Sequence, residues 1–502
     1  MIDRSIRHVA IVLMGCFVLL FAQLNRIQVF GAETLRENPS NTRTIQRDFG
    51  RDRGFIFTTD GQVVAQSDEV DGPFEHLRVY PHGELYGHTV GYLSFNIGAE
   101  GIERSYNDEL TGRTPELQLS GLSDLLANTT PTGDLVLTLD HRLQTAARDA
   151  LGERRGSVVA LDPSSGAIRA MWSYPSFDPN LLSSHDGVAV NASFSELLNA
   201  EDDPLRASAF RDVFFPGSTF KIVTAAASLE EGIATMASPV FPVADEYTPP
   251  LTSRPIANFG GSACGGTLEE MIRVSCNSGF ARLGAELVGP TAMIEEAQAF
   301  GFNVVPPFDV PGVVASIFPT DYGEQVRPPS VEIPAGVFEN TPLLAQASIG
   351  QNDVAATPLQ MALVAAAVAN DGQIMQPFAV EEVRNLRGAP VSSPNPRVWL
   401  SPLSPANAGE LRGAMINAAL RGTGGRALVP GLEIGTKTGT AQLGSDPPQS
   451  HAWTIAFGGQ PGAEPELVVA VLLEADPDRG DQTGGREAAP VVAEIFRAYF
   501  GS

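Results

Sequence analysis

The apolar positions of this chain are unevenly spread, and the longest uncharged run stands close to the N-terminus. Residues 9–22 contain no charged side chain, and Arg4 and Arg7 precede them. This arrangement favours an uncleaved signal anchor, although a run of this length also fits a cleaved signal peptide or a buried core helix. The two arginines would keep the N-terminus in the cytoplasm. The pattern predicts a single-pass protein of the cell membrane whose remainder is extracytoplasmic.

The part of the chain that follows this run is rich in turn residues. Alternation from Arg53 to Ser67, around Asp60-Gly61, predicts a β-hairpin. Residues 127–133, Ala-Asn-Thr-Thr-Pro-Thr-Gly, have the composition of a linker. We expect three parts, in chain order: a cytoplasmic tail with the anchor (1–32), a small elongated module (33–132) and a larger domain (133–502).

The larger domain begins and ends with strand patterns and carries helical patterns between them. Residues 156–175 predict two strands joined by a turn at 163–166, and three apolar runs near the C-terminus predict three more strands. Strands at both ends indicate an α+β or α/β domain whose sheet joins its two chain ends. Helices are expected at about 142–151, 218–231, 267–287, 357–371 and 488–499.

The composition of the chain excludes several classes of function. The 502 residues are 43% apolar, which is enough for a sizeable core and excludes a disordered protein. The formal net charge of -25 argues against binding to nucleic acid. The histidines and cysteines show no metal-ligand spacing, so no metal is expected. The glycine-rich run at 422–425 is not followed by the lysine and hydroxyl of a nucleotide-binding loop.

Lysine is almost absent from the chain. The 33 basic residues include two lysines, Lys221 and Lys437, and the others are arginine. Arginine can replace lysine at most surface positions, but it does not release its proton near neutral pH. The two positions that keep lysine are therefore candidates for proton-transfer chemistry. The alternative is chance retention at two solvated positions.

The first lysine follows a serine at the predicted start of a helix. Ser218 and Lys221 are three residues apart, so their side chains would share one helix face, and Ser218 would feel the positive end of the helix dipole. Serine becomes a good nucleophile when a base removes its proton. Burial or a second ammonium would lower the pKa of Lys221 and make it such a base. An exposed lysine on a capped helix is the alternative.

Two further motifs follow. Ser275 and Asn277 stand in Ser-Cys-Asn within the helical pattern 267–287, and Lys-Thr-Gly-Thr at 437–440 stands in a strand pattern. A glycine inside a strand often marks the close approach of another backbone or a ligand. Each motif is weak alone, and each has the alternative of ordinary helix or strand residues.

Together and in this order, Ser-x-x-Lys, Ser-x-Asn and Lys-Thr-Gly resemble the signature of the serine penicillin-recognising enzymes. The resemblance covers nearly the whole chain and is greatest to the compact class B penicillin-binding proteins of actinobacteria. One departure is Asn352-Asp353, where many relatives have glycine. The other segments that carry the resemblance are the N-terminal run, Arg53–Gly61, Glu100–Gly112, Ser348–Ala362, His451–Gly459 and Gly484–Pro490.

The resemblance implies an α+β transpeptidase fold, with an antiparallel sheet flanked by helices and an all-helical subdomain. In the chain, this domain would be preceded by one membrane anchor helix and a pedestal or dimerisation module. It also implies a peptidoglycan D,D-transpeptidase of cell-wall growth or division that needs no cofactor, with D,D-carboxypeptidase activity as a possible side reaction. Its partners would be peptidoglycan stem peptides of lipid II-derived glycan, and β-lactams would acylate it.

The same resemblance assigns roles to the motif residues. Ser218 would attack a terminal D-Ala-D-Ala and form an acyl-enzyme, with Lys221 as general base. The backbone amides of Ser218 and Thr440 would form the oxyanion hole. Ser275, with Lys437, would relay a proton to the leaving D-Ala, and Asn277 would bind the substrate amide. The substrate-binding strand would be made by Lys437, Thr438, Gly439 and Thr440. Within it, Lys437, Thr438 and Thr440 would face the substrate carboxylate.

Two other functions share the acylation chemistry. A membrane-anchored β-lactamase would need a loop glutamate for deacylation, and none is identified in the sequence. A penicillin-binding sensor would need a signalling domain. A catalytically idle scaffold would lack intact motifs, whereas all three motifs are intact here. The roughly 100 residues between anchor and linker are too few for a glycosyltransferase domain, so the resemblance implies a partner: a membrane glycan polymerase of the shape, elongation, division and sporulation type.

Two cysteines lie in the predicted extracytoplasmic part. Cys276 is the middle residue of Ser-Cys-Asn, and Cys264 precedes it in a glycine-rich loop. Thiols outside the cytoplasm tend to be oxidised, so we predict a bond between them that fixes the second motif from behind. Two unpaired, buried small residues are the alternative.

Overall fold

The computed structural model describes residues 2–27, 52–71, 74–120, 132–446 and 448–501. The N-terminal run forms the helix Ile2–Asn25, and its apolar side chains from Ile11 to Leu24 are exposed. Within the described residues, no helix has both the length and the apolar character needed to cross a membrane. Most of the predicted linker, residues 127–131, lies outside the described residues.

A mixed sheet of six strands draws on three separate parts of the chain. Strand Ile56–Phe57 pairs antiparallel with Val63–Glu69 around Asp60-Gly61, which confirms the predicted hairpin. It also pairs in parallel with Gly133–Leu137. Strands from both sides of residue 132 therefore hydrogen bond within one sheet. The strand order is Pro390–Ser392, Val380–Asn385, Gly133–Leu137, Ile56–Phe57, Val63–Glu69 and His76–Val79.

The larger domain is built around a five-stranded antiparallel sheet. Two strands near the start of the domain, which follow Gly133–Leu137, lie in this sheet beside the three C-terminal strands, which confirms that the sheet joins the two ends of the domain. Strand Leu467–Leu473 is buried along its whole length, so both sheet faces are covered. The longer helices packed on the sheet are His141–Leu151, Pro358–Ala369, Pro405–Arg421 and Ala489–Phe500. The strand order is Glu433–Gln442, Ser450–Gly459, Leu467–Leu473, Gly156–Leu161 and Ile168–Tyr174.

Two predicted helices differ from the observed ones at the motif residues. The helix predicted from residue 218 begins at Lys221 and runs to Glu230, after a 3-10 turn at Gly217–Thr219. The single helix predicted at 267–287 is broken at Ser275, whose φ of 61° is left-handed and ends the first segment. The pattern of apolar residues continues through this break, so periodicity alone did not reveal it. The three segments are Leu268–Val274, Asn277–Arg282 and Leu283–Val288.

The other elements are mostly short. Helices lie at Gly87–Val90, Gly101–Ser105, Asn107–Leu110, Pro115–Ser120, Asn180–Ser183, Gly187–Asn199, Ser208–Arg211, Gly289–Ala299, Thr341–Ala347 and Pro405–Arg421. Short strands pair Leu93–Ser94 with Gly98–Ala99, Phe241–Ala244 with Cys264–Gly266, Glu246–Tyr247 with Ile256–Ala257, Gln325–Arg327 with Val337–Phe338, and Ile374–Met375 with Val398–Leu400.

A buried ionic cluster holds the small N-terminal module together. The carboxylate of Glu103, which is 0% exposed, accepts from Arg53 Nε at 2.7 Å and from Arg78 Nε at 2.6 Å. The Tyr80 hydroxyl lies 3.3 Å from the same carboxylate. Burial opposes ionisation of Glu103, but the two arginines outweigh it and lower the pKa of this carboxyl. Arg53 and Glu103 come from the two module segments that carry the family resemblance.

Candidate active site

The three predicted motifs meet at one cleft with a volume of about 630 Å³. The motif residues that line it are Ser218, Ser275, Asn277, Thr438 and Thr440. Lys221 and Lys437 lie behind this lining and are both 0% exposed. The alternative of two solvated lysines is therefore wrong.

Ser218 stands in a tight turn that packs directly against the strand of the third motif. Gly217 has a φ of 52°, and a Cβ atom there would lie 2.8 Å from the Thr440 carbonyl oxygen. From the strand side, a Cβ atom at Gly439 would lie 2.9 Å from the Pro216 carbonyl oxygen. The two glycines let the turn and the strand approach to backbone contact. The glycine in the strand pattern thus marks a close approach, as predicted.

A second segment holds the Ser218 turn from the other side. Gly217 N donates to the Gly350 carbonyl oxygen at 2.9 Å, and Gly350 itself has a φ of 73°. Two residues later Asn352 has a φ of 63°. Glycine adopts this left-handed region without strain, and asparagine tolerates it better than most residues. The asparagine that departs from the family pattern therefore adopts a conformation that glycine also favours.

Lys221 connects the first motif to the second. Its Nζ donates to the Ser275 carbonyl oxygen and to Asn277 Oδ1, both at 2.7 Å, and lies 3.5 Å from Ser275 Oγ. Ser275 ends one helix and Asn277 begins the next, so the helix break presents both residues to the amine. Among the hydrogen bonds of the described residues, none joins Lys221 to Ser218.

Lys437 connects the third motif to the second. Its Nζ donates to Ser275 Oγ at 2.8 Å and to the Thr438 carbonyl oxygen at 2.8 Å. The Ser275 hydroxyl therefore lies between two amines. An oxygen that accepts from an ammonium keeps its own proton for a third group. This geometry suits a proton relay.

Burial changes the acidity of both lysines. Burial, and then the Lys437 ammonium, lower the pKa of Lys221 well below its ordinary value. Burial lowers the pKa of Lys437 to about 7. Two amines so close titrate as a coupled pair. Both shifts favour the uncharged amine, which is the form that a general base requires.

A disulfide bond lies next to the second motif, with Cys264 at the cleft and Cys276 buried. Cys264 and Cys276 are bonded, with their Cα atoms 5.7 Å apart, which confirms the predicted pairing. Cys276 is buried, while its neighbours Ser275 and Asn277 line the cleft. The bond thus ties the break between the two helix segments to the short strand Cys264–Gly266.

Sequence analysis missed other groups at the cleft. Thr423 Oγ1 lies 2.6 Å from Thr438 Oγ1, and Thr423 belongs to the glycine-rich run 422–425. The glycine spacing of this run is the signal in the sequence that marks the loop. Further lining residues include Ile256, Phe259, Gln346, Ile349, Arg426 and Arg486.

The arrangement has the parts of a nucleophilic acyl transfer. It combines an accessible hydroxyl at Ser218, a buried amine of lowered pKa at Lys221 and a relay hydroxyl at Ser275. In the described part of the chain, no three His, Cys, Asp or Glu side chains are arranged to hold a metal ion.

Comparison with known protein families gives two matches. The family described as the penicillin binding protein transpeptidase domain matches residues 156–497. The family described as the penicillin binding protein A dimerisation domain matches residues 53–136.

Similar proteins and structures cover nearly the whole chain. The peptidoglycan D,D-transpeptidase PbpA of Mycolicibacterium smegmatis is 38% identical, over 97% of this chain and 97% of its own length. The PbpA of Mycobacterium tuberculosis is 35% identical, over 99% of both chains. A solved structure of penicillin-binding protein A from M. tuberculosis, a penicillin G acyl-enzyme complex, has a TM-score of 0.79 and 34% identity, over 90% of this chain and 100% of that one.

Proposed function

Because the chain belongs to the penicillin-binding protein transpeptidase family, we propose that it is a peptidoglycan D,D-transpeptidase that works through a serine acyl-enzyme. The observation that carries the proposal is the convergence of the three motifs on one cleft, with both lysines of the chain buried at the Ser275 hydroxyl. The M. tuberculosis relative has been solved as a penicillin G acyl-enzyme, which supports acylation of this chain by β-lactams.

In the first half-reaction, Ser218 Oγ attacks the carbonyl carbon of the D-Ala-D-Ala bond while Lys221 Nζ, in its uncharged form, takes the hydroxyl proton. The backbone amides of Ser218 and Thr440 bind the oxyanion, and the contact between Gly217 and Thr440 supports this pairing. The C–N bond then breaks, and the proton that Lys221 took passes through the Ser275 hydroxyl to the nitrogen of the departing D-Ala, which leaves Lys221 uncharged again. Lys437, bonded to Ser275 Oγ, takes part in that relay.

In the second half-reaction, an amine of a neighbouring stem peptide attacks the ester carbonyl and gives a proton to Lys221. The ester C–O bond then breaks, and Lys221 returns the proton to Ser218 Oγ. Asn277 holds the amide of the donor peptide, and Thr438 and Thr440 bind its terminal carboxylate before that residue leaves. Asn277 already bridges the Lys221 amine and the Ala257 carbonyl oxygen, so its orientation is fixed before substrate binds.

The decisive experiment uses radiolabelled penicillin G with residues 33–502. We expect one stable adduct per chain and no steady hydrolysis, whereas rapid turnover would establish the β-lactamase alternative. Ser218→Ala should abolish labelling while the thermal unfolding temperature stays near that of the wild type. Labelling that persists in Ser218→Ala would refute Ser218 as the nucleophile.

The wider setting is part of the proposal. The exposed apolar side chains of the helix Ile2–Asn25, behind Arg4 and Arg7, support a membrane anchor with the domains from residue 33 outside the cytoplasm. The full-length chain should then stay with membranes after alkaline carbonate extraction, while residues 33–502 should be released. Release of the full-length chain would exclude the anchor.

Glycan polymerisation is assigned to a separate membrane polymerase of the shape, elongation, division and sporulation type, because the module before the larger domain is too small to carry that activity. The full-length chain should therefore form no glycan from lipid II alone. Glycan formation by the purified chain would contradict this part of the proposal. A role in wall growth or division follows from cross-linking newly made glycan.

A further inference from the structure

A pair of threonine hydroxyls lies at the edge of the cleft. Thr423 Oγ1 and Thr438 Oγ1 are 2.6 Å apart, and both residues line the cleft. Thr438 belongs to the Lys-Thr-Gly strand, whereas Thr423 lies in the loop that follows the helix Pro405–Arg421. The two residues belong to different elements but share one hydrogen bond.

Close packing fixes the loop that carries Thr423. A Cβ atom at Gly422 would lie 2.2 Å from the Arg273 carbonyl oxygen, and one at Gly424 would lie 1.8 Å from Thr436 Oγ1. From the opposite side, a Cβ atom at Gly485 would lie 2.4 Å from the Thr423 carbonyl oxygen. Three glycines thus let the loop pack in close contact with its neighbours, and the Thr423 hydroxyl is presented to Thr438 by a rigid frame.

We propose that Thr423 is a positioning residue that directs the Thr438 hydroxyl proton toward the substrate carboxylate. Each hydroxyl has one proton to donate. If Thr438 donated to Thr423, it would turn a lone pair toward a carboxylate bound in the cleft. If Thr423 donates to Thr438, the Thr438 proton is free for the carboxylate, and the two bonds strengthen each other. The inference rests on the proposed contact between Thr438 and that carboxylate.

Thr423→Val keeps the shape of the side chain and removes its hydroxyl. We expect it to weaken recognition of penicillin G by about two- to tenfold, the effect of one hydrogen bond. Because the carboxylate is bound in both the ground and the transition state, the loss should appear in the concentration that gives half the maximal acylation rate and leave the maximal rate unchanged. Thr423→Ser, which keeps the hydroxyl, should restore normal recognition.

The matched control is Thr59→Val. Thr59 Oγ1 donates to Glu381 Oε2 at 3.1 Å on an exposed surface outside the cleft, so its removal should leave acylation unchanged. A double variant, Thr423→Val with Thr438→Val, should be no weaker than Thr438→Val alone, because Thr423 acts through Thr438. If Thr423→Val does not fold, Thr423→Ala removes the same hydroxyl without adding atoms and carries the same expectation.

Three outcomes would overturn the inference. In the first, Thr423→Val recognises penicillin G as well as the wild type does, while Thr438→Val is impaired. In the second, Thr423→Ser loses as much recognition as Thr423→Val. In the third, the double variant shows the sum of the losses of the two single valine variants. A Thr438→Val variant with wild-type recognition would instead refute the proposed contact between Thr438 and the carboxylate, which keeps the two failures distinguishable.

Discussion

Lys221 and Lys437 are amines placed where solvent does not reach them, and each is held by oxygen atoms of the second motif. A buried ammonium without a carboxylate partner loses hydration, so burial favours the uncharged amine. Lys221, three residues after Ser218, is therefore the candidate acceptor for the proton that Ser218 must release. The chemistry at this scale depends on lysine, because a guanidinium stays protonated under the same conditions.

Lys221→Arg tests this dependence directly. Arginine keeps the charge of the side chain but does not accept a proton, so acylation by penicillin G should slow by at least about a hundredfold, a typical contribution of a general base. The measurement is the rate of adduct formation on residues 33–502, with Ser218→Ala as the background. A near-normal rate in Lys221→Arg would make Lys221 a structural residue.

The pH dependence of acylation follows from the same two amines. Lys221 acts only when unprotonated, so the rate should fall as pH falls through the apparent pKa of the pair. The pKa of Lys221 is lowered and that of Lys437 is about 7. The acylation rate should therefore reach its plateau at a pH well below the ordinary pKa of lysine.

Acylation measured from pH 5 to pH 9 checks this profile. Lys437→Met removes the positive charge that lowers the pKa of Lys221, so this pKa should rise. The acylation rate that remains in this variant should therefore increase with pH at a higher pH than in the wild type. A rate that does not change across this pH range would contradict the assignment of a lysine base.

At the scale of elements, the Ser218 turn and the strand Glu433–Gln442 touch through glycine. In Gly439→Ala the new Cβ atom would lie 2.9 Å from the Pro216 carbonyl oxygen and 3.1 Å from Thr219 Cγ2. The strand or the turn must shift, and misplacement of reacting groups is costly, so acylation should fall by about ten- to a hundredfold.

Gly409→Ala is the matched control for this substitution. Gly409 lies in the helix Pro405–Arg421, and a Cβ atom added there would have no neighbouring atom within 4 Å, so alanine should leave acylation unchanged. Equal acylation rates in Gly439→Ala and Gly409→Ala would show that close approach at the strand is not needed.

The disulfide bond acts on another element, the break between Leu268–Val274 and Asn277–Arg282. Cys264→Ser opens a loop with a sequence separation of 12 residues, so the free energy of unfolding should fall by about 3 kcal/mol on chain-entropy grounds. Acylation should also slow, because Ser275 and Asn277 flank the bonded Cys276.

Chemical denaturation measures the stability change, with Cys16→Ser in the full-length chain as control, because Cys16 is a free, exposed cysteine. Denatured, unreduced residues 33–502 should show no free thiol. Two thiols per chain would refute the bond.

At the scale of the whole molecule, the module and the larger domain share a sheet and further contacts. The Tyr106 hydroxyl donates to Asp309 Oδ2 at 3.0 Å, and the same carboxylate accepts from the amides of Ala379 and Val380. Val380 opens the strand that pairs with Gly133–Leu137. One carboxylate thus contacts both the module and the strand that joins it to the larger domain.

Glu103→Gln tests how far the buried ionic cluster stabilises the molecule. The substitution leaves Arg53 and Arg78 buried without their counter-charge, so the free energy of unfolding should fall by about 3–5 kcal/mol. Glu116→Gln, at an exposed position of the same module, should change it by less than about 0.5 kcal/mol. Equal denaturation midpoints for the two variants would show that the cluster does not stabilise the fold.

The sequence by itself determined the hairpin of the module, the five strands of the larger sheet, some of the helices and the identity of the motif residues. Alternation and apolar runs depend on side chains that are near in sequence, so they predicted the hairpin around Asp60-Gly61 and the sheet that joins the ends of the larger domain. The scarcity of lysine marked Lys221 and Lys437 as candidates for chemistry. In a chain whose other basic residues are all arginine, lysine is expected to persist where proton transfer requires it.

The tertiary structure alone decided what depends on contacts between distant segments. The left-handed Ser275 interrupts a helical pattern that continues through it, and the bond to Cys264 and the two amines meet at that break. The hydrogen bond between Thr423 and Thr438 joins a loop to a strand, which no local pattern records. Burial of the lysines, and with it their lowered pKa, exists only once the helices and the sheet have enclosed them.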